Sequence, residues 1–302
     1  IWGVWSASKL PIDAVPDITN NQVQIITVCP TLAGQEVEQL VTFPIEQSIA
    51  NIPNLEEVRS ISRFGLSVIT VVFKDEVNIY FARQLLNEKL KQAEESIPKG
   101  IGKPELAPVS TGLGDIYQYI VHPTKGNENK YTAKDLRTMQ DWIVRKQLLG
   151  TPGVADVSSF GGAVKQFEVS VNPELLKQYD LSVNDIYTAL NDNNQNAGGA
   201  YIEHGPNVLF IRTEGMVDSL DQIGSIPVKT LSNGIPLLIR DIAEIRLGEA
   251  TKFGATTFNA DGEVAGAVVM MLKGENSKQV IADIKTKIAT IQETMPEGVV
   301  IE

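Results

Sequence analysis

The chain has 302 residues, 43% hydrophobic and 21% charged, with a formal net charge of −11. That length suits two or three packed domains, and the composition excludes wholesale disorder. Without a dense Lys/Arg stripe there is no electrostatic footprint for nucleic acid, and with Cys29 as the only cysteine there is no internal disulfide or cysteine-based zinc motif.

Residues 1–18 open IWGVWSASKL, an apolar decapeptide carrying Trp2 and Trp5, and then break into proline and aspartate. No uninterrupted apolar run in the chain reaches the roughly 18 residues that a spanning helix needs. From 19 to 110 the pattern reads strand, helix, strand, strand, helix. QVQIITV (22–28) is β-rich, and Cys29 after it reads as a small strand residue. Residues 33–52 place Val37, Leu40, Val41, Ile45, Ile49 and Ile52 at helical spacing, and Pro44 is expected to kink or interrupt that helix. EEVRSIS and LSVITVVF form a hairpin around Arg63, Phe64 and Gly65. Residues 79–97 form an amphipathic helix stopped by Pro98 and Gly100.

IYQYIV (116–121) begins a second round, and Thr132 with Asp135 resembles a capping box for a helix running to about Leu149. IPNLEEVRS at 52–60 matches TPGVADVSS at 151–159, and ESIPKGI at 95–101 matches ETMPEGV at 293–299. These pairs imply an internal repeat whose second copy holds about 100 extra residues between its landmarks. Within the extra material KQFEVSV is a strand, and Ser182–Asp185 caps a short helix. NDNNQNAGGAYIEHGP reads as a long excursion, of a length that is uncommon unless the loop contacts something. VLFIRTEG, IPVKT and PLLIRDIAEIRL are further strands, with a turn at Asn233–Gly234. TTFNADGEVAGAVVMML then forms a hairpin turning at Asp261–Gly262, followed by a helix over 277–295. The order β-α-β, β-α-β is that of a ferredoxin-like split βαβ unit. The expected fold class is α+β: ferredoxin-like units at 19–110 and at 111–164 with 252–302, the second interrupted by a mixed α/β domain at 165–251.

Catalytic constellations fail. GxSxG, a Walker loop and a locally supported Ser/His/Asp set are all missing, so no enzyme is expected. The two histidines, His122 and His204, lie far apart, and Met139, Met216 and Met295 do not cluster. Met270 and Met271 occupy a strand pattern that sends them to opposite faces, for core packing or, in the alternative, a soft thioether ligand for Cu(I) or Ag(I).

Two stretches go beyond pattern. LPIDAVPDITN at 10–20 looks like the junction after the first transmembrane helix of the resistance-nodulation-division (RND) exporters. NDNNQNAGGAYIE at 191–203, with FGGAVKQFEVSVNPELLKQYDLS before it, resembles their heavy-metal efflux branch, the CzcA/CusA-type pumps. The resemblance covers essentially the whole chain. It implies the first large periplasmic loop of a proton-driven, homotrimeric exporter of the cell inner membrane. Its partners would be a periplasmic adaptor (membrane fusion) protein and an outer-membrane channel, with metal ions as substrate and no cofactor.

In those terms residues 1–18 are the end of the first transmembrane helix and the junction, with Trp2 and Trp5 at the membrane–water interface. Residues 19–110 are porter subdomain 1, 111–164 with 252–302 are porter subdomain 2, and 165–251 are the N-terminal half of the docking domain. Arg59 matches a charged position of the porter cleft; an exposed strand residue is the alternative. Asn191, Asn193, Asn194, Asn196, Gly198, Gly199 and Tyr201 belong to an arm that reaches into a neighbouring protomer. Thr251 falls where a silver/copper member offers a methionine, which points towards divalent zinc, cobalt, nickel or cadmium rather than monovalent copper or silver. No metal-ligand set is assigned. The alternatives are an RND pump exporting drugs or other organic compounds, and a free-standing periplasmic binding module.

Overall fold

A computed structural model describes residues 19–98, 100–204, 207–213, 215–252, 254–259 and 262–302, with the backbone alone for 197–204 and 207–213. The expected membrane junction, with Trp2 and Trp5, lies outside the described residues. The backbone separates into two compact units. One holds the residues up to Asn127 with Met139–Phe160 and Ala265–Glu302; the other holds Glu128–Thr138 and Gly161–Val264.

The first unit contains two four-stranded antiparallel sheets. Strands β1 (Gln22–Val28), β2 (Leu55–Arg63), β3 (Leu66–Phe73) and β4 (Pro104–Leu106) lie in the order β2-β3-β1-β4. Alternation along β1 turns Val23, Ile25 and Thr27 inward. Two helices cover that face, α1 (34–49) and α2 (Ile79–Ser96). Val37, Val41, Ile45 and Ile49 of α1 and Ala82, Leu86, Leu90 and Ala93 of α2, spaced three or four apart, join one buried core. The second sheet is built from β5 (Asp115–Pro123), β6 (Val154–Gly161), β13 (Ala265–Met271) and β14 (Val299–Ile301), in the order β14-β5-β13-β6. Its helices are α3 (133–148) and α8 (Ser277–Gln292). In both sheets the fourth strand flanks the first and the third lies between first and second, which is the ferredoxin-like order.

Pro44 does not stop α1. The helix continues through a π-turn at Glu38–Thr42, where the Phe43 N–H donates to the Glu38 carbonyl, five residues back. Helix α3 contains the same device at Gln140–Val144, with the Arg145 N–H donating to the Gln140 carbonyl and no proline nearby. Both π-turns are tied to a serine of the following strand. Ser62 Oγ donates to Glu38 Oε2 at 2.5 Å and lies 2.7 Å from the buried Thr42 hydroxyl, itself 2.8 Å from Ser67 Oγ. In the second copy Ser159 Oγ donates to Asp141 Oδ1 at 2.5 Å and accepts from the fully buried Gln140 amide at 3.3 Å. Where a kink or interruption was expected at Pro44 the structure has a π-turn, and in both copies it accompanies a polar side chain buried against a strand serine.

Among the described residues the second unit carries two-stranded antiparallel sheets. β7 (Lys165–Val171) pairs with β12 (Ala243–Glu249), β8 (Ala197–His204) with β9 (Asn207–Thr213), and β10 (Pro227–Thr230) with β11 (Pro236–Leu238). Short helices α4 (Pro173–Gln178), α5 (Val183–Asp192), α6 (Leu220–Gly224) and α7 (Ile239–Ile242) connect them. Leu176, Ile186, Leu237 and Ile242 form a buried cluster. Asn233 Oδ1 accepts from the Ile235 N–H, and Gly234 at φ 80 supplies the left-handed residue of the β10–β11 turn.

Two expectations change. Residues 236–247 are not continuous strand: Asp241 accepts the Leu238 N–H at 2.9 Å and starts one helical turn that buries Ile239 and Ile242. The hairpin before β13 is held, among the described residues, by the antiparallel bridge of Thr257 with Glu263 and by the Val264 N–H donating to the Thr256 carbonyl at 2.9 Å, while Asp261 of its expected turn lies outside the described residues. The Asn/Gly-rich excursion becomes a strand from Ala197 onward, because the β-rich run 207–213 offers it a partner.

Candidate functional site

Arg59 lies on β2 opposite Thr70 of β3. Its guanidinium meets Glu57 Oε2 at 3.5 Å with both side chains about half exposed, a pair of little energetic consequence. Alternation puts Arg59, Ile61 and Arg63 on the face of the sheet away from the helices. Across the strands Ile61 opposes Val68, which opposes Ile26, and Arg63 opposes Leu66, which opposes Val28. Ile61 and Val28 are more than half exposed. The result is an apolar stripe bordered by two cations, open along β2 and, at Ile26 and Val28, lining a pocket with Leu106, Pro108 and Asp156.

The other expected residues gather at the base of the β8–β9 hairpin. Ser182 caps α5 in a reciprocal box with Asp185, whose carboxyl is held below its ordinary value by the bonds it accepts from the Ser182 N–H and hydroxyl. Asn191 falls in the last turn of α5, and Asn193 closes it, its N–H and its side-chain amide both donating to the Ala189 carbonyl. Asn194 and Asn196 use their side-chain oxygens on backbone amides of residues 215–217. Gly198 pairs with Arg212 and Tyr201 with Phe210, and the register slips between them, where Gly199 sits. The residue missed from sequence is Gly215: a Cβ there would stand 2.2 Å from the Gln195 carbonyl oxygen. Its one signal was a glycine in TEGM just after an apolar run.

Among the described residues the chemistry-bearing groups do not converge. Cys29 is fully buried and burial pushes its thiol up, so it is a poor nucleophile. His122 is buried in β5, its Nε2 lying 3.2 Å from Glu302 Oε2. Met271 is buried while Met270 is partly exposed on the opposite face. Among the described residues no three His, Cys, Asp or Glu side chains lie close enough to share a metal ion. No described helix is long and apolar enough to cross a membrane.

The described residues thus form two ferredoxin-like sheets and an inserted unit that carries a two-stranded ribbon, and it is this arrangement that known transport proteins share. A sequence profile described as the AcrB/AcrD/AcrF family matches residues 1–302, and the chain belongs to that family. It is 45% identical over 301 residues to the cobalt-zinc-cadmium resistance protein CzcA of Cupriavidus metallidurans, an alignment covering 98% of this chain and 28% of that protein. To the cation efflux system protein CusA of Escherichia coli (strain K12) it is 38% identical over 299 residues, covering 99% and 28%. An X-ray crystal structure of a heavy metal efflux pump superposes with a TM-score of 0.86 at 32% identity, covering all of this chain and 29% of that one. The chain thus spans less than a third of the length of these relatives.

Proposed function

We propose that this chain is the first periplasmic porter and docking segment of a proton-driven RND pump that exports heavy-metal ions from the inner membrane through a tripartite complex. The observation that carries the reading is 45% identity along almost the whole chain to a protein named for cobalt, zinc and cadmium resistance, joined to a matching fold. In this reading residues 19–110 form porter subdomain 1, 111–164 with 252–302 subdomain 2, and 165–251 the docking half. The pump acts as a homotrimer with a periplasmic adaptor and an outer-membrane channel. Arg59 lines a cleft that the rest of the longer protein completes; its place on the cation-bordered sheet face, open along β2, supports this. The β8–β9 hairpin is the arm that engages a neighbouring protomer, a role suited to a ribbon whose sheet has two strands among the described residues.

The divalent ions zinc, cobalt and cadmium are the preferred cargo, since the relative named for them is more similar than CusA, at 45% against 38% identity. The test is transport. The full-length protein in vesicles should move zinc, cobalt or cadmium when a proton gradient is imposed and stop when a protonophore collapses it. Movement of organic compounds with no metal flux would overturn the cargo assignment.

A further inference from the structure

A two-stranded ribbon standing alone is at best marginally stable in water, so the β8–β9 hairpin needs support at its root. Among the described residues, side chains at the root supply it. Asn196 Oδ1 accepts from the Gly215 N–H at 3.0 Å and from the Met216 N–H at 3.2 Å. Asn194 Oδ1 accepts from the Val217 N–H at 3.0 Å. The two chain segments approach so closely that only a glycine fits at 215. Each segment is anchored in turn. Gln195 Nε2 donates to the Asn191 carbonyl in the last turn of α5 at 3.1 Å, and the Asp218 N–H donates to Gln222 Oε1 in α6 at 2.9 Å.

We propose that Asn194 and Asn196 are a latch that fixes the direction in which the hairpin leaves the inserted unit. They are positioning residues, not contact residues: their acceptor oxygens are committed within the chain, and the partner is met by the ribbon beyond them. An amide side chain suits the task because it presents a carbonyl oxygen like that of a neighbouring strand without demanding strand geometry of its own backbone. The inference rests on the reading of the hairpin as an inter-protomer arm in a complex with further copies of this chain.

The experiment uses the full-length protein. One variant combines Asn194→Ala with Asn196→Ala, a second combines Asn194→Asp with Asn196→Asp and keeps the accepting oxygens, and a third deletes residues 197–213. Hydrogen exchange is read at the Gly215, Met216 and Val217 amides, and trimer dissociation is read by sedimentation. The double alanine variant should exchange those amides about tenfold faster, as expected for losing bonds of this kind, and should loosen the trimer. The double aspartate variant should restore both. Unchanged exchange in the double alanine variant overturns the latch. A trimer that dissociates on deletion of 197–213 but not in the double alanine variant overturns the positioning role. A trimer untouched by the deletion overturns the arm reading and leaves the latch to be judged by exchange alone.

Discussion

Thr132 and Asp135 hold each other at the start of α3. The Thr132 N–H and hydroxyl both donate to Asp135 Oδ2, at 3.0 and 2.7 Å, and the Asp135 N–H returns a bond to the Thr132 hydroxyl at 3.3 Å. Those bonds hold the Asp135 carboxyl below its ordinary value. A carboxylate depressed in the folded state adds stability above its unfolded pKa and loses it as pH falls through the folded value. The window therefore lies below about pH 4. Thr132→Ala should cost about 1 kcal/mol in denaturant unfolding at pH 7. The gap between wild type and Asp135→Asn should close as the melting temperature is followed below pH 4; a gap independent of pH would contradict the assignment. Arg59 behaves oppositely. Its pair with Glu57 is exposed, so Arg59→Ala should leave stability within about 0.5 kcal/mol while lowering metal export by the full-length pump. Unchanged export would return Arg59 to an ordinary exposed strand position.

Among elements, the two π-turns are the feature that pattern reading missed. Helical periodicity marks Val37, Val41, Ile45 and Ile49 of α1 as inward, and they are buried, but it also marked Leu40, which is exposed, and it carries no information about one extra residue in a turn. The proline pointed at the right place for an incomplete reason, since α3 has the same turn without one. What the two turns share is a buried polar group, Thr42 or Gln140, reaching a strand serine. Thr42→Val should cost about 1–3 kcal/mol by leaving the buried Ser67 hydroxyl without that bond. Pro44→Ala should retain the Phe43-to-Glu38 bond in a crystal structure; a regular α-helix there would make the proline its cause after all. The strands with clear alternation, such as 22–28 and 165–171, were legible in full, as was the α5 cap from its Ser-x-x-Asp spacing. The β8 strand was not, because AGGAYIEH has weak strand propensity and is held by its partner and its root.

For the molecule, the internal repeat and its interruption were legible because helix ends and proline turns recur in matched order, and both ferredoxin-like sheets follow. The site was legible only as a region. Spacing could mark an Asn-rich stretch as unusual, yet which amide bonds to which backbone depends on contacts between residues 194–196 and 215–217, about 20 positions apart. The open face along β2 is likewise meaningful only beside the longer relatives, of which this chain matches 28–29%. The central proposal is that the chain is a segment of a pump for heavy-metal ions. The most direct measurement is growth of a strain lacking the gene across a panel of metals and drugs. The account predicts lost tolerance to zinc, cobalt or cadmium, restored by the intact gene, with drug tolerance unchanged. Unchanged metal tolerance together with new drug sensitivity would contradict it.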